Sequence, residues 1–189
     1  SAMPTGAMAA ILGLDEETVV AACADASQGE VVQAVNFNAP GQVVIAGHAA
    51  AVQRGIDACK ARGARRAVAL PVSAPFHSSL MAPAAARLRD ALSTLELGVA
   101  SIPVIHNFDV KTHPDAQSIR DALVGQADHP VRWVECMRAM AANGVTHVFE
   151  CGPGKVLAPL AKRISGGLQG LALADRAGID LGLQTFRKG

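Results

Sequence analysis

What most constrains this chain is the order in which two hydrophobic periods succeed one another over its first seventy residues. Residues 8–12 form a short apolar run of strand length. Asp15 comes next, placed to cap a helix whose first turn carries Glu16 and Glu17 at the positive end of the helix dipole. Val19, Val20, Cys23 and Ala24 are expected to give that helix its apolar face. Residues 31–37 and 42–46 are strand-like runs joined by Asn38-Ala39-Pro40-Gly41, where proline suits the second turn position and glycine the third. A second helix is predicted over 49–62, with Val52, Ile56 and Cys59 on one face and Gly63 as its stop, before a strand over 66–72. The order β-α-β-β-α-β is that of a ferredoxin-like unit, so residues 1–71 are expected to form a small ferredoxin-like subdomain.

Beyond residue 72 the alternation changes. Leu80, Ala84, Leu88 and Leu92 recur every fourth residue, as one helix face requires. Residues 102–107 read as a strand and 119–126 as a helix. Pro130 suits a first helical turn, Trp133, Met137 and Met140 line one face, and Asn143-Gly144 ends the helix before a strand over 146–150. Gly152-Pro153-Gly154 turns the chain into a helix over 156–164, and 168–173 is a last strand. Strand alternating with helix predicts an α/β fold with a mostly parallel sheet in residues 72–189.

Composition narrows the function classes. Half the residues are hydrophobic, yet no apolar run approaches the ~18 residues of a membrane-spanning helix, so no membrane partner is expected. Aromatics are 3% and the net charge is +1, which gives neither stacking platforms nor a basic excess for nucleic acid. Cys23, Cys59, Cys136 and Cys151 are widely spaced and form no Cys-x-x-Cys pair. They are expected to be reduced and largely buried, which suits a cytoplasmic protein. Nothing at the N-terminus resembles a secretion signal, and Ser1-Ala2-Met3 fits the remnant of a cleaved tag.

In an open α/β sheet ligands collect beyond the carboxyl ends of strands, which directs attention to the loop Ser73-Ala74-Pro75-Phe76-His77-Ser78-Ser79. His77 lies between a strand and a helix, and imidazole moves protons near neutral pH as a general base must. A solvated or capping histidine is the plainer alternative. The other five histidines form no His-x-x-x-His pair, so no metal site is expected. Gly152-Pro153-Gly154-Lys155 departs from the phosphate-loop pattern and reads as a tight turn, with Cys151 a buried packing residue beside it. Asn36 and Asn38 are expected on one face of their strand, with Val35 and Phe37 on the other. Lys60, Arg62, Arg65 and Arg66 cluster around a helix end, as a solvated rim or as a surface for an acidic partner.

Four stretches together resemble the acyl-CoA:acyl carrier protein acyltransferase family. They are Gly6-Ala7-Met8-Ala9-Ala10, the run from Val35 to Gly47 that contains Asn36-Phe37-Asn38-Ala39-Pro40-Gly41, Pro71-Val72-Ser73-Ala74-Pro75-Phe76-His77, and Gly152-Pro153-Gly154-Lys155-Val156-Leu157. The resemblance implies an α/β-hydrolase-like acyltransferase core interrupted by the ferredoxin-like subdomain, with 72–189 the C-terminal part of that core. It implies that His77 is the base of a Ser–His pair oriented by the main-chain carbonyl of Gln126, and that Phe76, Asn36 and Asn38 border the substrate. It implies malonyl-CoA and acyl carrier protein as partners in fatty acid biosynthesis, with Lys60 and Arg62 facing the carrier and no cofactor beyond the coenzyme A thioester itself. The family's nucleophile lies in Gly-His-Ser-x-Gly, and no Gly-x-Ser-x-Gly occurs here. Its malonyl-gripping arginine and oxyanion glutamine also have no counterpart. Ser73, Ser78 and Ser79 are too close to His77 to occupy the nucleophile's elbow. A fragment of a longer enzyme, or a chain completed by a companion N-terminal fragment, is therefore expected. The alternatives are an acyltransferase domain of a polyketide synthase and a non-catalytic ferredoxin-like binding module.

Overall fold

The computed structural model describes residues 6–72 and 74–187. Ser1-Ala2-Met3 and Ser73 lie outside the described residues. The protein is α/β and divides into two compact units, Ser1–Trp133 and Val134–Gly189.

The first unit begins with β1 (Gly6–Leu12), α1 (Glu16–Ser27), β2 (Val32–Ala39), β3 (Gln42–His48), α2 (Ala49–Ala61) and β4 (Arg66–Ala69). The strands lie in the order β2-β3-β1-β4, and every neighbouring pair is antiparallel. Asp15 caps α1 by accepting from Thr18 N–H at 2.7 Å. The buried face of α1 is Val19, Ala22, Cys23 and Ala26, while Val20 and Ala24 face solvent. Spacings of three and four residues, which the helical period imposes, correct the expected face. With Val52, Ile56 and Cys59 of α2, these side chains close over Ala9, Ile11, Val43 and Ile45 of the sheet. The opposite face buries Met8, Val35, Val44 and Ala46.

The hairpin between β2 and β3 turns in two residues, Pro40 and Gly41, and Gly41 has φ +71° as the third position of such a turn requires. Two irregularities in register interrupt β2, between Ala34 and Asn36 and between Phe37 and Ala39. They overturn the expected alternation. Val35 packs with Val44 on the face away from the helices, whereas Phe37 packs on the helix side, because a bulge inserts a residue and reverses the facing of the residues after it.

Beyond β4 come a single 3-10 turn (Ser79–Met81), α3 (Ala82–Ser93) and α4 (Ala116–Asp128). Leu88 and Leu92 of α3 pack with Ala85 against Val124 and Ala127 of α4. Residues 102–107 form no strand, a third correction, and Ile102 is 75% exposed. A tight loop comes next, in which His106 N–H donates to Lys111 O at 3.0 Å and Val110 N–H to His106 O at 2.9 Å.

Starting with α5 (Trp133–Ala142), the chain enters the second unit, which contains β5 (His147–Glu150), α6 (Ala158–Ile164), β6 (Gln169–Ala172) and α7 (Arg176–Phe186). β5 and β6 pair in parallel, as alternation with helices predicts. The sequence pattern does not predict α7, because Gly178 and Gly182 interrupt its apolar period. Both glycines allow close approach: a Cβ at Gly178 would stand 2.4 Å from Ala172 O, and one at Gly182 would stand 2.6 Å from the Leu173 side chain.

Gly47 is the tightest such position in the first unit. An added Cβ would fall 1.9 Å from Val31 O, a carbonyl that accepts from His48 N–H at 2.8 Å. Gly47→Ala should therefore destabilise the fold by ~1–3 kcal/mol, the cost of forcing atoms into a filled site. Urea unfolding would read this as a lower midpoint at unchanged slope.

Candidate active site

The loop after β4 is built around one carbonyl. Pro75 O accepts from Ser78 Oγ at 2.7 Å and from Ser78 N–H at 3.3 Å, and the Ser78 side chain is buried. Phe76 and His77 are the two residues this turn encloses. His77 has φ +62°, a left-handed conformation that costs a residue with a Cβ roughly 1–2 kcal/mol and persists only where surroundings enforce it. Three contacts do so. Ser79 N–H donates to Gln33 Oε1 of β2 at 2.8 Å, Met81 N–H donates to Ser78 O at 2.9 Å, and Pro75 is seated on Gly6, where a Cβ would lie 2.2 Å from its Cδ.

His77 Nδ1 lies 2.9 Å from Gln126 O on α4. A carbonyl oxygen only accepts, so Nδ1 carries the proton, and the neutral ring keeps its lone pair on Nε2. Phe76, beside it, is 43% exposed. The hydroxyl of Ser78 is bonded to its own turn and Ser79 is exposed.

Asn36 is tied to the segment after Gln126. It forms a parallel bridge to Val131, Phe37 N–H donates to Val131 O at 3.0 Å, and Val131 N–H donates to Val35 O at 2.8 Å. Asn38 lies two residues further, beside the hairpin turn, and both asparagines are half-buried. Neither is hydrogen-bonded to His77 among the described residues. Lys60 and Arg62 stand at the far end of the sheet: α2 leads into Arg66, which pairs with Leu12, while the His77 loop is seated on Gly6. Six residue steps of β1 separate those ends, ~20 Å. Lys60 is exposed, whereas Arg62 is held by Asp25 and by Ala58 O.

In the second unit the glycine turn has an occupant of its own. Glu150 accepts from the N–H groups of Val156 at 3.0 Å, Leu157 at 2.9 Å and Ala158 at 2.9 Å. These amides, foremost that of Ala158, hold its carboxyl below the usual carboxylate range. Lys155 is drawn to Asp175 at 2.9 Å. The amides and the cation a phosphate would need are thus already engaged. Nothing in composition or spacing singles out Glu150, whose role emerges only in the fold, where the amides at the start of a helix attract an anion. Cys151 is exposed, contrary to expectation, while Cys23, Cys59 and Cys136 are buried, and burial pushes the Cys23 thiol up to about 12. Among the described residues no group of three or more His, Cys, Asp or Glu side chains is arranged to hold a metal, and no helix is long and apolar enough to cross a membrane.

A four-stranded antiparallel sheet covered by two helices is thus followed by a histidine that a main-chain carbonyl orients in a strained loop. The acyl transferase domain family matches residues 1–163, and the chain belongs to that family. It is 50% identical over 180 residues to the malonyl CoA-acyl carrier protein transacylase of Escherichia coli K12, covering 95% of this chain and 58% of that one. The crystal structure of an acyl-carrier-protein S-malonyltransferase from Burkholderia pseudomallei 1710b superposes with a TM-score of 0.94 at 54% identity, covering 97% of this chain and 60% of that one. A malonyl-transacylase solved in complex with its type II PKS acyl-carrier protein gives 0.95 at 47% identity, covering 98% and 60%. The chain thus spans under two thirds of the length of these relatives.

The Glu150 cradle makes a pH-dependent prediction. Because the folded carboxyl is held low, its contribution is fully present above the ordinary carboxylate range and is lost as pH falls through the folded value. Protection factors of the Val156, Leu157 and Ala158 amides should fall on acidification before those of the β1–β3 ladder, and Glu150→Gln should show the loss already at neutral pH. Equal protection in wild type and Glu150→Gln would refute the cradle.

Proposed function

We propose that this chain is the C-terminal part of a malonyl-CoA:acyl carrier protein transacylase of fatty acid biosynthesis, in which His77 is the general base. The observation that carries the reading is the bond from His77 Nδ1–H to Gln126 O at 2.9 Å, which leaves Nε2 free to take a proton. The names of close relatives support malonyl-CoA as donor and acyl carrier protein as acceptor. In finer detail, residues 1–71 form a ferredoxin-like subdomain, a reading supported by the β-α-β-β-α-β order and the β2-β3-β1-β4 sheet. Residues 72–189 are the C-terminal part of an α/β-hydrolase-like core.

The reaction runs in two halves. A serine outside this sequence gives its proton to His77 Nε2 as its oxygen attacks the malonyl thioester carbonyl. The C–S bond breaks, and coenzyme A leaves as the thiol with the proton His77 returns. The carrier's phosphopantetheine thiol then gives its proton to Nε2 and attacks the malonyl-serine ester. The serine leaves with that proton, and malonyl ends on the carrier. No electrons are transferred and no metal is needed in this scheme, so its only cofactor-like component is coenzyme A, as substrate. Phe76, Asn36 and Asn38 border the acyl group, and Lys60 with Arg62 faces the carrier in the cytoplasm.

In the complete enzyme, His77→Ala should lower turnover by ~10²–10⁴ while leaving the unfolding midpoint nearly unchanged. Gln126→Ala should be much milder, because only its main chain orients the imidazole. A His77→Ala enzyme that still transfers malonyl to carrier protein at the wild-type rate would end this reading.

Selectivity provides a separate check. The Phe76 ring fills volume that an α-methyl branch would need, and one carbon's misfit is worth ~1–3 kcal/mol. Phe76→Ser should raise the kcat/KM for methylmalonyl-CoA relative to malonyl-CoA by roughly tenfold. An unchanged ratio in a folded variant removes Phe76 from the acyl site.

A further inference from the structure

The carbonyl that holds His77 owes its availability to the residue four positions later. In an α-helix the carbonyl of residue i accepts from the N–H of residue i+4. For Gln126 that residue is Pro130, which has no N–H to give. Proline also drives the residue before it out of the helical region, and His129 closes α4 at φ −124°, ψ 160°. One carbonyl earlier, Gly125 O already has a partner in His129 Nδ1 at 3.0 Å. Gln126 O is thus a carbonyl at the end of α4 for which the chain supplies no i+4 donor, and His77 Nδ1–H meets it at 2.9 Å.

The chain after the proline is pinned, so it does not swing a later amide back onto the same carbonyl. Val131 N–H is bonded to Val35 O at 2.8 Å, and Arg132 N–H to Asn107 O at 3.1 Å. We propose that Pro130 is a positioning residue that reserves the Gln126 carbonyl for His77 by withholding a competing N–H, and so fixes the imidazole with its proton on Nδ1. This rests on the reading of His77 as the base. Any residue other than proline at 130 brings a main-chain donor to the end of α4, where continuing the helix by one residue would aim it at Gln126 O. His77 would then share that carbonyl with a second donor, which weakens the bond that selects its tautomer, and a left-handed backbone alone does not hold the ring.

The test uses the complete enzyme labelled with ¹⁵N-histidine, as wild type and as Pro130→Ala. The neutral His77 ring should show the Nδ1–H signature in wild type, and Pro130→Ala should show a mixture of tautomers. Its kcat should fall ~10-fold or more, with KM for malonyl-CoA little changed. A Pro130→Ala enzyme that keeps its unfolding midpoint, its kcat and a pure Nδ1–H signature overturns the proposal. Should the variant fail to fold, the wild-type spectrum still decides against it if neutral His77 is the Nε2–H tautomer. A wild-type protein with the Nδ1–H signature and no acyl transfer would instead sink the functional reading, leaving the positioning argument standing.

Discussion

A histidine held in a left-handed backbone conformation is the constraint around which the first unit is organised. Histidine enters the left-handed region more readily than most residues with a Cβ, yet φ +62° still costs energy, and neighbouring groups enforce it. The buried Ser78 hydroxyl closes the turn on Pro75 O, Pro75 needs the bare Cα of Gly6, and Ser79 is anchored to Gln33 on β2. The antiparallel sheet is therefore more than a neighbour of the loop. Two of its strands supply the surfaces that set the loop's height, and α4 supplies the carbonyl that sets the ring's rotation. Without the strands the imidazole has no fixed position, and without the carbonyl it has no fixed orientation.

The second unit solves a different problem by a related device. Its glycine turn presents three amides at the start of a short helix, a nest that attracts any anion. Glu150, six residues before the first of them, fills it from within the same chain. A carboxylate bound this way holds a turn rich in glycine, whose unfolded chain has much freedom to lose. The same geometry explains why a Gly-Pro-Gly-Lys sequence here does not act as a phosphate cradle.

Much of this is legible in the sequence, and the failures are instructive. The β-α-β-β-α-β order, the Asp15 cap, the Pro40-Gly41 turn and the buried face of α2 all follow from local rules, and all are present. The faces of β2 are not legible, because a bulge leaves no mark in the residue types around it; only the register with β3 reveals that Val35 and Phe37 point opposite ways. α7 escapes the pattern because its glycines serve close approach to β6, a tertiary requirement that overrides helix propensity. Residues 102–107 have the apolar content of a strand but join no β-ladder among the described residues, and a strand without a ladder is not stable alone. The position of His77 after a strand marks it as a candidate, while its link to Gln126 comes from family resemblance, since no local pattern connects residues 49 apart in sequence.

The two edges of the four-stranded sheet are treated unequally. At β2 one outer amide, Phe37 N–H, and one outer carbonyl, Val35 O, are engaged by Val131, so the chain itself covers the middle of that edge. β4 ends the sheet on the other side as a run of only four residues opened by Arg66, with Arg65 just before it. A longer, uncharged edge would offer a template on which another molecule's strand could grow. Brevity and two cationic side chains make this margin a poor seed for fibrillar assembly.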